Sequence, residues 1–193
     1  MAINNDQAHI AGVHLFDPVS NDYNLPYIRQ LLPGKPVLLV NLAYWQQGWM
    51  VPPGNPDQVK TVADLAEKRL DFVNRQKGAG TRLLFDYLLA KNELAATQIS
   101  GYQREEHTHL NVAAAVAAGT AQAGLGILSA ARAFGLHFIP VAEERYDLLM
   151  TEDFYRSPSG RLLKAIITDP SFQAEVEKLG GYSMREAGKV FRP

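Results

Sequence analysis

Apolar positions along this chain come in short runs separated by turn-forming clusters. Residues 36–51, "PVLLVNLAYWQQGWMV", are rich in β-branched and aromatic side chains and predict one long strand or two collinear ones. "HIAGVHLF" (9–16) predicts a short strand, and "DPVSNDYNLP" (17–26) a loop. Tyr27 to Leu32 fit a short helix stopped by Pro33-Gly34. "PPGNP" breaks the long strand. Thr61 and Asp64 stand at capping-box spacing and open a helix over 61–69. The run from Leu70 to Val73 reads as a strand that stops at Asn74, followed by a helix from Thr81 to Lys91.

Further on, 97–103 predicts a strand, and 105–119 a helix with Thr108 as N-cap and Gly119 as its stop. Strands are expected at 123–128, 136–141 and 144–150, with a helix at 129–135 between the first two. Two helices fill the tail, parted at Asp169-Pro170, with Ser171 capping the second. Alternation of strand and helix through 60–150 predicts an α/β layer on a largely parallel sheet.

Composition narrows the classes. The 193 residues are 47% hydrophobic and 20% charged, enough for one substantial core or two small lobes. A formal net charge of −1 does not suit a general nucleic-acid binder. Cysteine is absent, so no disulfide, thiolate nucleophile or thiolate metal site exists. No apolar run approaches the roughly 20 residues that span a bilayer, and the first residues lack the pattern of a signal peptide. A cytoplasmic chain without membrane contact is expected.

The chemistry concentrates in two stretches. In "NRQKGAGTR" (74–82), glycines allow close backbone approach, and the first amides of the following helix lack internal partners. Those amides and the helix dipole favour an anion. Thr81 adds a hydroxyl, and Lys77 and Arg82 add charge. The spacing is neither a Walker A loop nor G-x-G-x-x-G. From the residues alone, an anion cradle and a plain turn are equally good readings. In "EEHTHLN" (105–111), His107 and His109 lie two apart and cannot form the i, i+4 zinc pair. The stretch is either a plain N-cap or a second helix N-terminus offering Thr108 and nearby amides. The aromatics of "AYWQQGW" (43–49) are ordinary for a strand, though they could line a cleft. No catalytic constellation is apparent. Ser20, Ser100 and Ser129 lack a nucleophile-elbow context. Glu144 and Asp147 lie three apart on a strand and face opposite sides, and Glu105 and Glu106 read as a solvated helix start.

Together "AGVHLFDP…YN", "NRQKGAGTRLLFDYLL", "GYQREEHTHLNVAAAVAAGTAQAGLGI", "GLHFIPVAEERYDLL" and "LGGY" resemble the periplasmic-binding-protein-like domain of cytoplasmic bacterial and archaeal proteins. That domain occurs in molybdate-responsive-type regulators and in molybdopterin-biosynthesis proteins. It is also similar to the second lobe of solute-binding proteins for molybdate and tungstate. The resemblance implies an α/β, type II periplasmic-binding-protein-like fold with two lobes of mostly parallel sheets. Residues 1–51 and 144–193 would supply lobe I with the hinge strands, and 52–143 lobe II. Ligand would sit between the lobes, held by helix N-termini. Gly80, Thr81, Arg82, Thr108 and His109 would be its lobe II contacts.

The loop carries Ala79 where the family often has Ser. Lobe I would start about two strand–helix units late, so that either the chain is a fragment or another subunit rebuilds the lobe; a tight homo-oligomer or an exchanged-element dimer that covers the exposed sheet is expected. The implied function is non-catalytic: sensing a small oxyanion, molybdate or tungstate, for a fused or partner DNA-binding or biosynthetic domain, with no cofactor and no metal. The alternatives are an accessory domain that holds a phosphorylated or pterin intermediate in molybdopterin biosynthesis, and a degenerate assembly domain.

Overall fold

The computed structural model describes residues 2–20 and 22–193. In chain order, β1 (Ile10–Val13) is followed by β2 (Phe16–Asp17) and β3 (Asp22–Tyr23), then by α1 (Leu25–Leu31) and β4 (Val37–Val51). Next come α2 (Val62–Glu67), β5 (Phe72–Arg75), α3 (Gly80–Lys91), β6 (Glu105–Glu106), α4 (His109–Ala117), β7 (Ala123–Ile127) and α5 (Leu128–Ala133). The chain then runs through β8 (His137–Thr151), α6 (Glu152–Arg156), α7 (Pro158–Ile167), α8 (Pro170–Lys178), β9 (Tyr182–Ser183) and β10 (Val190–Phe191). Residues 1–45 with 144–193 form one compact unit, and 46–143 form a second. The strands β4 and β8 each run through both.

The first unit is built on the strand order β1-β8-β4, with β9 and β10 also on β4. Ile10 pairs antiparallel with Met150 and Val13 with Asp147. Its apolar centre joins Ile28, Leu32, Val37, Leu39 and Leu149. A second cluster joins Leu38, Val40 and Met150. The second unit has the order β4-β7-β5-β6. Here β5 lies parallel to both β6 and β7, and β4 joins β7 antiparallel. Trp49, Phe72, Phe85 and Leu125 fill one core of this unit. Phe72 and Phe85 stack with ring centroids 4.4 Å apart. Val73, Val112, Val116 and Met50 fill another. The parallel sheet expected across this region is the β6-β5-β7 set, and its helices follow each strand in turn.

Local signals explain most boundaries. The predicted capping box forms at α2: Asp64 accepts from the Thr61 and Lys60 amides at 2.8 and 2.9 Å. The Thr108 hydroxyl accepts from the Asn111 amide at 3.0 Å, and Gly119 closes the far end with a φ of 70°.

Several expectations are corrected. Asn74 does not end the strand but lies inside β5. The strand expected at 97–103 is a short 3-10 turn (Ala96–Gln98) and a loop. Gly101 there has a φ of 77°, and a Cβ on it would lie 2.1 Å from the Phe72 carbonyl oxygen. A side chain cannot occupy that position, so the segment turns rather than extends. Glu105 and Glu106 are strand, not helix start, because they pair with Asn74 and Arg75. The strands expected at 136–141 and 144–150 are one, since Pro140 sits within a continuous β8. The cap of α8 is Asp169, which accepts from the Ser171 and Phe172 amides at 2.9 and 3.0 Å, rather than Ser171. The loop at 17–26 carries a two-residue ladder, with Phe16 opposite Tyr23. Among the described residues no helix is long and apolar enough to cross a membrane.

Candidate functional site

In the second unit, α3 and α4 follow the carboxyl ends of adjacent parallel strands, β5 and β6. Both helix N-termini therefore belong to one edge of the sheet, the edge where α/β folds bind ligands. The two loops are tied together. Arg75 donates from Nη2 to the His107 carbonyl at 3.0 Å, and the Gln76 amide bonds the Glu106 carbonyl at 3.2 Å.

The start of α3 is open to a ligand in a specific sense. Its N-cap is Ala79, which has no side chain to accept a bond. The first helical hydrogen bond comes from the Leu83 amide to the Ala79 carbonyl. The amides of Gly80, Thr81 and Arg82 precede it and have no acceptor within the helix. Among the described residues, the other helices of nine or more residues (α4, α7, α8) each have a side-chain cap, from Thr108, Ser157 and Asp169. Ahead of α3, Gly78 has a φ of 86° and open space where a Cβ would stand.

Thr81 is buried, at 1% exposure. Its Oγ1 accepts a bond from Gln47 Nε2 at 2.9 Å. Gln47, on β4, is also fully buried. A hydroxyl has one proton to give, and that of Thr81 is given to no described residue. Arg82 is also buried, and its Nε and Nη1 bond within the unit. It bonds Glu105 at 3.1 Å, Asp86 at 3.2 Å and the Arg75 carbonyl at 3.2 Å. It also lies 4.2 Å from the Tyr102 ring centroid. Burial works against its charge, yet Tyr102 and Asp86 outweigh that and raise its pKa. These bonds brace β5, β6 and α3 against one another.

The other two expected residues lie at the start of α4. Thr108 is exposed, and its hydroxyl oxygen already accepts from Asn111, so its proton points elsewhere. His109 is half-buried against Gly126, where an added Cβ would come 3.3 Å from its Nδ1. The structure thus gathers Gly80, Thr81 and Arg82 on one helix start, and Thr108 and His109 on the neighbouring one. This edge offers hydrogen-bond donors.

Sequence reasoning missed Gln47, which lay unremarked within "AYWQQGW", and the pairing of Glu105 with Arg82. It also missed a polar cluster in the first unit. Asp147, fully buried, accepts from Asn24 at 2.8 Å, Asn41 at 3.0 Å and Arg145 at 2.9 Å. Arg145 continues to Asp22 and to the Tyr23 carbonyl. The signal was present: "YN" and "ERYD" are among the segments that carry the family resemblance. The same unit contains an apolar cavity of about 280 Å³ lined by Trp45, Tyr146, Phe172 and Tyr182 among others, with scarcely a polar atom for an anion.

Helix N-termini at the carboxyl edge of a parallel sheet stand where α/β folds commonly bind ligands. The chain belongs to the periplasmic-binding-protein-like family: the model of the PBP superfamily domain matches residues 1–168. The YvgK protein of Bacillus subtilis (strain 168) is 32% identical over 184 residues, 94% of this chain and 58% of YvgK. The chain thus spans little more than half of that relative. Among solved structures, the tungstate ABC transporter protein of Geobacter sulfurreducens aligns with a TM-score of 0.65 at 14% identity, over 92% of this chain and 79% of that one. A Clostridium perfringens substrate-binding protein assigned to a phosphate ABC transporter, with bound phosphate, aligns at 0.64 and 13% identity, over 92% and 80%. At such identities the likeness is one of fold.

Proposed function

We propose that this chain is a non-catalytic binding domain for a small tetrahedral oxyanion, molybdate or tungstate first, with Gly80, Thr81, Arg82, Thr108 and His109 as its contacts in lobe II (52–143). The observation that carries this reading is the start of α3. Three successive amides lack a side-chain cap, and a buried hydroxyl beside them has a proton to donate. Leaving buried donors unpaired costs about 1–3 kcal/mol each, and an oxyanion is the ligand that satisfies several at once. Solved relatives in fold that are named for tungstate and phosphate support the same class.

The domain's loaded state is read by a fused or partner protein, a regulator or a biosynthetic enzyme of the kind the sequence resembles, in the cytoplasm. A homo-oligomer belongs to the proposal, with the exposed Leu162 and Ile166 of α7 as its contact.

The test is a thermal melt with molybdate, tungstate, sulfate, phosphate and a nucleotide. A hundredfold excess over Kd stabilises by about 2.7 kcal/mol, so one of the tetrahedral oxyanions should raise the Tm by several degrees. A shift with the nucleotide alone, or with nothing, would overturn the reading.

A further inference from the structure

Four aromatic rings line the apolar cavity of the first unit. Trp45 stands on β4, Tyr146 on β8, Phe172 on α8 and Tyr182 on β9. All four belong to that unit. The Trp45 ring meets Tyr146 at 45° with centroids 4.7 Å apart, and Tyr182 at 78° and 6.2 Å. The rings are therefore adjoining walls rather than a stack. Tyr146 can lie where it does because residue 12 is glycine, since a Cβ there would collide with the Tyr146 hydroxyl. His14 backs the same ring, stacked at 5.6 Å. The indole is bonded in turn to Glu144, which is buried at 1% exposure. The Glu144 carboxylate accepts from Trp45 Nε1 at 2.7 Å and lies 3.4 Å from His14 Nδ1.

We infer that this cavity is a second binding site, built for a quaternary ammonium group. The faces of Trp and Tyr rings carry negative charge density that attracts a cation. A hydrogen bond to a carboxylate pushes more electron density into the indole. Glu144 adds a negative charge one side chain away, where burial screens it little. The lining has scarcely a polar atom, so an ammonium with N–H groups would leave them unpaired. A quaternary nitrogen has no N–H to pair. An uncharged planar ring would need two parallel faces to lie between, and walls set at 45° and 78° do not offer them. A cavity of about 280 Å³ takes a trimethylammonium head with a short arm. No part of this rests on the anion reading of the second unit.

Choline and dimethylbutanol, in which a carbon replaces the nitrogen, are the decisive pair. They share a shape and differ in charge. Butylammonium, a primary amine cation, tests the preference for a head without N–H groups. Affinities of the intact chain are measured by calorimetry and by tryptophan fluorescence. Wild type should bind choline about tenfold or more tighter than either of the others. Trp45→Leu removes the best cation-binding face and should lower choline affinity by about tenfold or more. Glu144→Gln keeps the shape of the side chain and removes its charge. It should weaken choline several-fold and leave dimethylbutanol as it is.

Equal affinities for choline and dimethylbutanol would reduce the cavity to an apolar pocket and overturn the inference. So would tighter binding of butylammonium, or no binding of choline at all. If Trp45→Leu does not fold by circular dichroism, Tyr182→Leu on the half-buried β9 takes its place with the same expected loss. A folded variant that keeps the wild-type affinity for choline puts the cation elsewhere and overturns the site.

Discussion

At the scale of residues, the two side chains of the G-A-G-T-R block nearest the proposed ligand do different work. Thr81 has a proton to give, whereas Arg82 commits Nε and Nη1 to its neighbours. Thr81→Val keeps the shape and removes the hydroxyl. It should abolish most of the tungstate-induced Tm shift while costing about 1–3 kcal/mol in ligand-free stability, because Gln47 loses its acceptor. Melts with and without tungstate separate the two effects. Arg82→Lys keeps a charge but cannot bond Glu105, Asp86 and the Arg75 carbonyl together. It should lower ligand-free stability by about 1–3 kcal/mol, the partners being only half-buried, yet leave a large part of the tungstate shift. A variant that is stable but blind to the anion would mean that the guanidinium itself reaches the ligand.

Elements show what the sequence makes legible and what it hides. Local chemistry was readable: the β-branched run of β4, the Thr61/Asp64 box, the Thr108 cap and the glycine stop after α4 each depend on residues within a turn of one another. Elements fixed by distant partners were not. β6 has two residues and no periodicity, and exists because Asn74 and Arg75 offer it a ladder. Gly101 turns because Phe72, far back in the chain, occupies the space of its missing Cβ. The site divides the same way. The donors of Gly80, Thr81 and Thr108 follow from helix starts, while the Gln47–Thr81 bond crosses 34 positions and the Arg82–Glu105 bond 23. The α2 box also makes a pH prediction. Burial opposes ionisation of Asp64, but the amides of Thr61 and Lys60 and the Lys68 ammonium hold its pKa well below the ordinary carboxylate range. A lowered folded pKa means that the stabilisation is present above the unfolded value of about 4 and is lost as pH falls through the folded one. Asp64→Asn should thus cost about 1 kcal/mol near neutrality, and urea melts at successively lower pH should show the gap between variant and wild type closing.

For the whole molecule, the proposed oligomer has a candidate contact on α7. α7 turns Ile167 inward at 1% exposure, yet leaves Leu162 at 63% and Ile166 at 44%, one helical turn apart on its outer face. Two such side chains on each of two copies are a modest but real drive to associate, at about 25 cal/mol for each Å² of apolar surface covered. A symmetric dimer is the simplest way for one helix to meet its own copy, since a two-fold contact uses the same patch twice. Light scattering of the wild type should therefore give a mass near twice the 21.3 kDa chain. Leu162→Glu with Ile166→Glu places two like charges against two more across that axis and should return it to a single chain. The proposed anion wall lies wholly within residues 46–143 and α7 lies outside them, so the tungstate shift should persist in the dissociated variant. A monomeric wild type would remove the oligomer from the proposal, and a charge variant that stays dimeric would move the contact away from α7.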